Sequence, residues 1–265
     1  MKHIAIGEVA AQLRALGERQ GGVLLVHSSF RAVRPVENGP LSLIEALRAA
    51  LGPGGTLVMP AWTGNDDEPI DPEATPAAAD LGVVPETFRR LPGVVRSNHP
   101  IAFAASGPAA AWINADPLPL PPHIAESPVG RVHECDGQLL LLGVGHEADT
   151  TLHLAEVLAR VPYTYHREAV PRRKSPTDRL RRERPFAAGA SRSPMHGCGS
   201  EASRPRGRSG MPSPALFRAR DLVAAAFEHL SRDLLLFLHP RGTGCIDCDE
   251  AWSTVPGPPP RPSRA

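Results

Sequence analysis

Four short apolar runs constrain this chain most: "VLLVHSS" (23–29), "TLVMPAW" (56–62), "IAFAAS" (101–106) and "QLLLLGVG" (138–145). None alternates strictly with polar residues, and each is too short for a buried helix. Runs of this kind are strands buried on both faces. The segments between them repeat apolar positions at helical spacing. Ile6 to Leu16 does so and stops at Gly17, while "PLSLIEALRAALGPGG" carries Pro near its start and glycines past its end. Pro85 to Leu91, "PAAAWINA" and the stretch from Asp149 continue the alternation. Strands alternating with helices predict an α/β fold, a mostly parallel sheet flanked by helices, with ligands at the strands' carboxyl ends.

The chain's 265 residues and 42% hydrophobic content allow one sizeable core, filled by Leu, Val and Ala because only 5% is aromatic. The expected domain spans 1–250, with a Pro-rich disordered tail at 251–265. It is interrupted at 166–214, where neither period survives and Arg, Pro, Ser and Gly dominate. From His166 to Gly210 eleven Arg and one Lys face four carboxylates, a net +8; the rest carries 17 basic and 24 acidic residues, a net −7. The part that looks folded therefore favours a cationic partner. The interruption is expected to be disordered or an out-of-frame reading of GC-rich DNA, since order returns at "ALFRARDLVAAAFEHL", expected as a helix, and "DLLLFLH", expected as a strand.

Four cysteines and no apolar leader suggest a reduced, cytoplasmic protein, and no run of about 18 apolar residues suggests a membrane span. G-x-G-x-x-G, Walker and G-x-S-x-G patterns are absent, and the Arg-rich stretch has few aromatics for base stacking, so nucleic acid is not the expected partner. A monomer or homodimer is equally compatible with the sequence.

Several residues could carry chemistry. His153 lies among leucines on the helix opened by Asp149, Thr150 and Thr151, at the carboxyl edge of the fourth strand, with Glu156 on the same face. A neutral imidazole there could accept a proton, although a satisfied core histidine has the same pattern. "GNDDEPIDPEATPAAAD" brings Asp66, Asp67 and four further carboxylates after the second strand, either a cation-attracting rim or a solvated loop. His27, Ser28 and Ser29 end the first strand, and Ser97 and His99 lie in the polar turn "RSNHP"; both could be ordinary turns. Cys245 and Cys248 form C-x-x-C, half of a zinc site, with His196 and Cys198 as candidate completing ligands.

"GGVLLVHSSFRAVRP", "GPLSLIEALRAALGPGGTLVMPAW", "RSNHPIAFAASGP", "LLLLGVGHEADTTLHLAE" and "DLLLFLHP" together resemble the aminoglycoside 3-N-acetyltransferases. The resemblance is closest to the branch acting on apramycin, gentamicin and tobramycin, and covers roughly 1–165 and 215–250. It implies transfer of acetyl from acetyl-CoA to the 3-amino group of 2-deoxystreptamine aminoglycosides, conferring resistance, with His153 as general base. It also implies that Asp66 and Asp67 face the aminoglycoside, and that His27, Ser28, Ser29, Ser97, His99 and Thr150 form the acetyl-CoA and active-site wall. Family members carry an E-N-D-H-C-C type segment after the "VPY" turn, whose carboxylates orient the histidine and whose cysteines could complete a structural zinc site. This chain has no such string between His166 and Pro214, so His153 is expected to lack its orienting carboxylate and activity to be impaired. The alternatives are a binding-only relic of the family and a metal-dependent hydrolase using His27, His99, His153 and cysteines.

Overall fold

The computed structural model describes residues 5–33, 35–64, 70–99, 101–115, 123–163, 165–167, 186–188 and 214–255. The four apolar runs form β1 (Val23–Ser28), β2 (Thr56–Pro60), β4 (Phe103–Ser106) and β5 (Gln138–Leu142), joined by β3 (Val95–Arg96) and β8 (Ala215–Arg218). The order is β3-β4-β2-β1-β5-β8. β1 pairs parallel with β2 and β5, whereas β4 on β2, β3 on β4 and β8 on β5 are antiparallel. The α/β class is as expected, but the parallel portion is confined to the three central strands. The β4 reversal is local: the chain passes from β3 to β4 through a short connection, which Ser97 closes by accepting the Phe103 N–H on Oγ at 3.0 Å.

Alternate strand residues feed two cores. On one face Leu24, Val26, Leu57, Met59 and Leu140 meet α1 (Ile6–Ala15), α3 (Pro40–Leu51) and α4 (Val83–Arg89). On the other, Leu25, Val58, Phe103, Leu139 and Leu141 meet α5 (Ala110–Ile113), α6 (Pro128–Glu134), α7 (Thr151–Ala159) and α8 (Ala219–Arg232). Burial on both sides is why these strands are continuously apolar. The short α2 (Phe30–Val33) follows β1.

Two local expectations are corrected. "ALFR" is an edge strand, not helix; α8 begins only at Ala219, after Arg218 in an extended conformation. "DLLLFLH" is a turn, not a strand: Asp233 Oδ1 accepts the Leu235 N–H at 2.9 Å, and the edge beside β5 is already filled by β8. The expected tail starts too early as well, because α9 (Ile246–Thr254) runs to Thr254 and buries Ala251 against Tyr163. Within the interrupting segment the described residues form two short antiparallel strands, β6 (Tyr165–Arg167) and β7 (Phe186–Ala188). His196 and Cys198 lie outside the described residues.

Candidate active site

From β1 the chain crosses to β2 on one side, while β5 lies on the other; α3 covers one face and α7 the opposite one. The crevice between diverging connections, at the carboxyl ends of β1 and β5, is the usual ligand site of such sheets. A cavity of about 350 Å³ opens there. His27 and Ser28 from β1, Trp62 after β2, and Glu147, Asp149, Thr150 and His153 after β5 line it, with Asp80 at its rim.

α7 delivers the central imidazole. Asp149 Oδ1 accepts the Thr151 N–H at 2.9 Å and so caps the helix, which leaves Thr150 to turn inward, its hydroxyl 3.2 Å from His27 Nε2. One turn on, His153 Nδ1 is 2.6 Å from Glu156 Oε2. Glu156 Oε1 accepts the Tyr163 hydroxyl at 2.8 Å, and all three residues are buried. A carboxylate on Nδ1 fixes the tautomer with the proton on Nδ1 and leaves the Nε2 lone pair available. The expectation that His153 lacks an orienting carboxylate is thereby overturned: the i, i+3 spacing on one helix supplies it locally, and Tyr163 occupies the second oxygen.

The other histidines differ. Burial pushes His27 down to about 4, opposed by the Asp149 charge and reinforced by His153, so it is a neutral wall residue. Burial likewise takes His99 to about 4; its Nδ1 accepts the Ile101 N–H at 3.0 Å, a role in the β3–β4 turn. Ser29 extends the β1–β5 pairing, its N–H donating to the Leu142 carbonyl at 2.9 Å. Of the residues expected at the acetyl-CoA wall, the structure therefore brings His27, Ser28 and Thr150 to the cavity, whereas Ser29, Ser97 and His99 are not among those lining it.

Asp66 and Asp67 lie outside the described residues. The rest of that acidic loop divides by role. Asp71 folds it locally, accepting the N–H groups of Glu73 and Ala74 at 3.0 and 3.1 Å. Arg89 and Arg96, both buried, clamp it through the Glu73 carbonyl at 2.9 Å and the Thr75 carbonyl at 2.5 Å. Asp80, in the short 3₁₀ turn Ala79–Leu81 that ends this loop, lies at the cavity. Together with Glu147 and Asp149 it gives the cavity three carboxylates and no lysine or arginine among the described lining residues.

Sequence reasoning did not single out three neighbours. Tyr163 and Glu147 sit in turns with no periodic signal. His123, fully buried, stacks on His153 with ring centroids 4.8 Å apart and planes within 15°. It precedes α6 in an irregular stretch, and only its place in space connects it to His153.

Cys245 and Cys248 are not among the described residues that line this cavity. They converge with His239, their ligand atoms all within 4.8 Å of one another, and His239 Nδ1 lies 3.2 Å from Cys248 Sγ. Among the described residues His239 is thus a partner of the C-x-x-C pair, while His196 and Cys198 lie outside them.

The model of the family described as aminoglycoside 3-N-acetyltransferase matches residues 25–231. The chain is 56% identical over 234 residues to aminoglycoside N(3)-acetyltransferase IV of Salmonella sp, covering 88% of this chain and 90% of that protein. It is 39% identical over 176 residues to aminoglycoside N(3)-acetyltransferase VII of Streptomyces paromomycinus, covering 58% of this chain and 60% of that one. Its structure superposes on a histidine-to-alanine mutant of AAC(3)-IVa in complex with a gentamicin with a TM-score of 0.84 and 51% identity, covering 96% of this chain and 99% of that one. AAC-IIIb in a binary complex with CoASH gives a TM-score of 0.72 at 27% identity, covering 90% and 99%. By sequence and by fold the chain belongs to the aminoglycoside 3-N-acetyltransferase family, acyltransferases that move acetyl from acetyl-CoA to the 3-amino group of 2-deoxystreptamine antibiotics and so confer resistance.

Proposed function

We propose that His153 is the general base of that transfer, held by Glu156, and that the cavity at the carboxyl ends of β1 and β5 is where the two substrates meet. The observation that carries this reading is the 2.6 Å contact between His153 Nδ1 and Glu156 Oε2 on the wall of an acidic cavity. An aminoglycoside amine is largely protonated in water and cannot attack until it is neutral. His153 Nε2 accepts the proton from the 3-ammonium or from the amine as it attacks. The amine nitrogen bonds to the thioester carbonyl carbon, the carbon–sulfur bond breaks, and coenzyme A leaves as a thiolate that takes a proton. Glu156 stabilises the imidazolium formed on the way.

Asp80 and Glu147 draw the polycation in and hold its ammonium groups, while Asp149, its oxygens taken by the Thr151 N–H and His146 Nδ1, adds negative charge from within the wall; the carboxylates of Asp66 and Asp67 add to the charge that recruits the substrate. His27, Ser28 and Thr150 form the wall on the acetyl-CoA side, while Ser29, Ser97 and His99 hold the β1–β5 pairing and the β3–β4 connection. The complexes of the AAC(3)-IVa relative with a gentamicin and with apramycin favour those two antibiotics as substrates here. The hydrolase alternative is less well supported, since His99, Cys245 and Cys248 are not among the described residues that line the cavity with His27 and His153.

The test is acetyl-CoA-dependent thiol release in the presence of gentamicin or apramycin. The native chain turns over both, and His153→Ala lowers kcat/KM by about 10²- to 10⁴-fold. Binding of both substrates without thiol release by the native chain would sink the reading in favour of a binding-only relic.

A second reading concerns structure, not catalysis. His239, Cys245 and Cys248 supply two sulfurs and one nitrogen at a spacing that fits tetrahedral zinc, which takes four ligands. Bound there, zinc would brace α9 against the turn that carries His239. Purified protein is expected to hold about one zinc per chain by elemental analysis, and Cys248→Ser to lose it; a metal-free protein that stays so after incubation with zinc refutes this.

A further inference from the structure

His123 is the buried titratable side chain that the mechanism above leaves unused. It is 1% exposed, does not line the cavity, and neither ring nitrogen has a hydrogen-bond partner among the described residues. A histidine buried in this way forgoes two hydrogen bonds, so plain space-filling is better served by an apolar side chain. Its contacts are through the ring. One face stacks on His153 with the planes 15° apart, and its ring meets Phe103 in an edge arrangement, planes at 85° and centroids 6.5 Å apart.

We infer that His123 is a positioning residue for the base: a neutral aromatic plate that fixes the ring plane of His153 and faces the positive charge His153 acquires. The inference rests on His153 being the base. One hydrogen bond, from Nδ1 to Glu156, leaves an imidazole free to rock about the bond axis, which would swing Nε2 away from the amine. A ring packed flat against one face removes that freedom. When His153 takes the proton, it becomes a cation lying on an aromatic face, an attractive arrangement as long as the plate itself is uncharged. Burial, together with the neighbouring His153, His99 and His27 rings, holds His123 well below the usual histidine range and so keeps it neutral. Among the described residues, the charged and titratable groups around the stack are Glu156 and Tyr163 on the Nδ1 side, with His27, Asp149 and His99 close enough to act electrostatically.

Three variants of the full chain separate a plate from a filler. His123→Phe keeps an aromatic face, His123→Leu keeps comparable bulk without one, and His123→Ala keeps neither. Steady-state kinetics with gentamicin and acetyl-CoA, beside melting temperatures, give the answer. Expected is a kcat of His123→Ala at least about tenfold below native with KM changed less than about threefold. His123→Phe recovers kcat at least about fivefold above His123→Leu. Equal kcat for Phe and Leu would make His123 a space-filler, and native kcat in His123→Ala would remove it from the mechanism altogether. His153→Ala is run in parallel. Should that variant keep native activity, the base assignment fails on its own, independently of the order found among the His123 variants.

Discussion

A histidine among leucines on a helix is ambiguous until its nitrogens are accounted for, and here both are. Nδ1 is tied to Glu156, and Nε2 is left on the cavity side. Glu156 was legible in the sequence because i and i+3 share a helix face; Tyr163 was not, because it reaches Glu156 from the turn after α7, where no period constrains it. The two partners differ in what they contribute. Glu156→Gln keeps an acceptor for Tyr163 but removes the charge that stabilises the imidazolium and offers an amide that can present the wrong partner to Nδ1. We expect kcat to fall by about 10²- to 10⁴-fold with the fold intact. Tyr163→Phe removes one buried hydrogen bond and leaves the charge, so stability drops by about 1–3 kcal/mol and kcat falls far less than in Glu156→Gln. Equal kinetic effects of the two variants would contradict this division. Asp149 shows the opposite ambiguity: a cap by sequence, it is a cap in the structure and a cavity carboxylate too.

At the scale of elements, legibility followed burial. β1, β2, β4 and β5 are apolar on both faces because each has helices above and below, and those four runs alone implied the layered architecture. What escaped was decided by neighbours in space. "ALFR" is helix-compatible locally but completes the sheet beside β5, and "DLLLFLH" has strand composition yet finds the position beside β5 already taken by β8. The antiparallel entry of β4 was equally invisible, since a buried run carries no record of its direction. α7 holds one local conflict: Arg160, exposed at its C-terminus, adopts the left-handed conformation at φ 54° and ψ 50°. That conformation costs a non-glycine residue about 1 kcal/mol. Arg160→Gly is therefore expected to raise stability by up to about 1 kcal/mol in denaturant unfolding while leaving kcat unchanged. A destabilised variant would mean that the Arg160 side chain holds the turn towards Tyr163, a contact the backbone strain then offsets.

Across the whole molecule, the active-site corner gathers four buried histidines, His27, His99, His123 and His153, from β1, the β3–β4 turn, the stretch before α6, and α7. Assembling this site therefore means burying imidazoles, and that ties folding to pH. His27 and His99 sit at about 4, and His123 is lowered as well, each chiefly by burial. In the unfolded chain each titrates near the ordinary histidine value of about 6.5. Above that pH neither state is protonated and the full stability is present. Between about 6.5 and about 4 the unfolded chain binds protons that the folded chain refuses, so stability falls as the pH drops. A shift of this size corresponds to about 3 kcal/mol for each of His27 and His99 over the whole window, a large share of a typical domain's stability. Most carboxylates titrate below this window, so the loss should precede ordinary acid unfolding. Urea unfolding of the native chain is expected to show a midpoint that declines steadily from pH 7 to pH 5. His99→Asn, which can still accept the Ile101 N–H, should decline less steeply. A midpoint flat across that range, or an equal slope in the variant, would show that the histidine corner is solvated in solution and that the site is more open than its packing suggests.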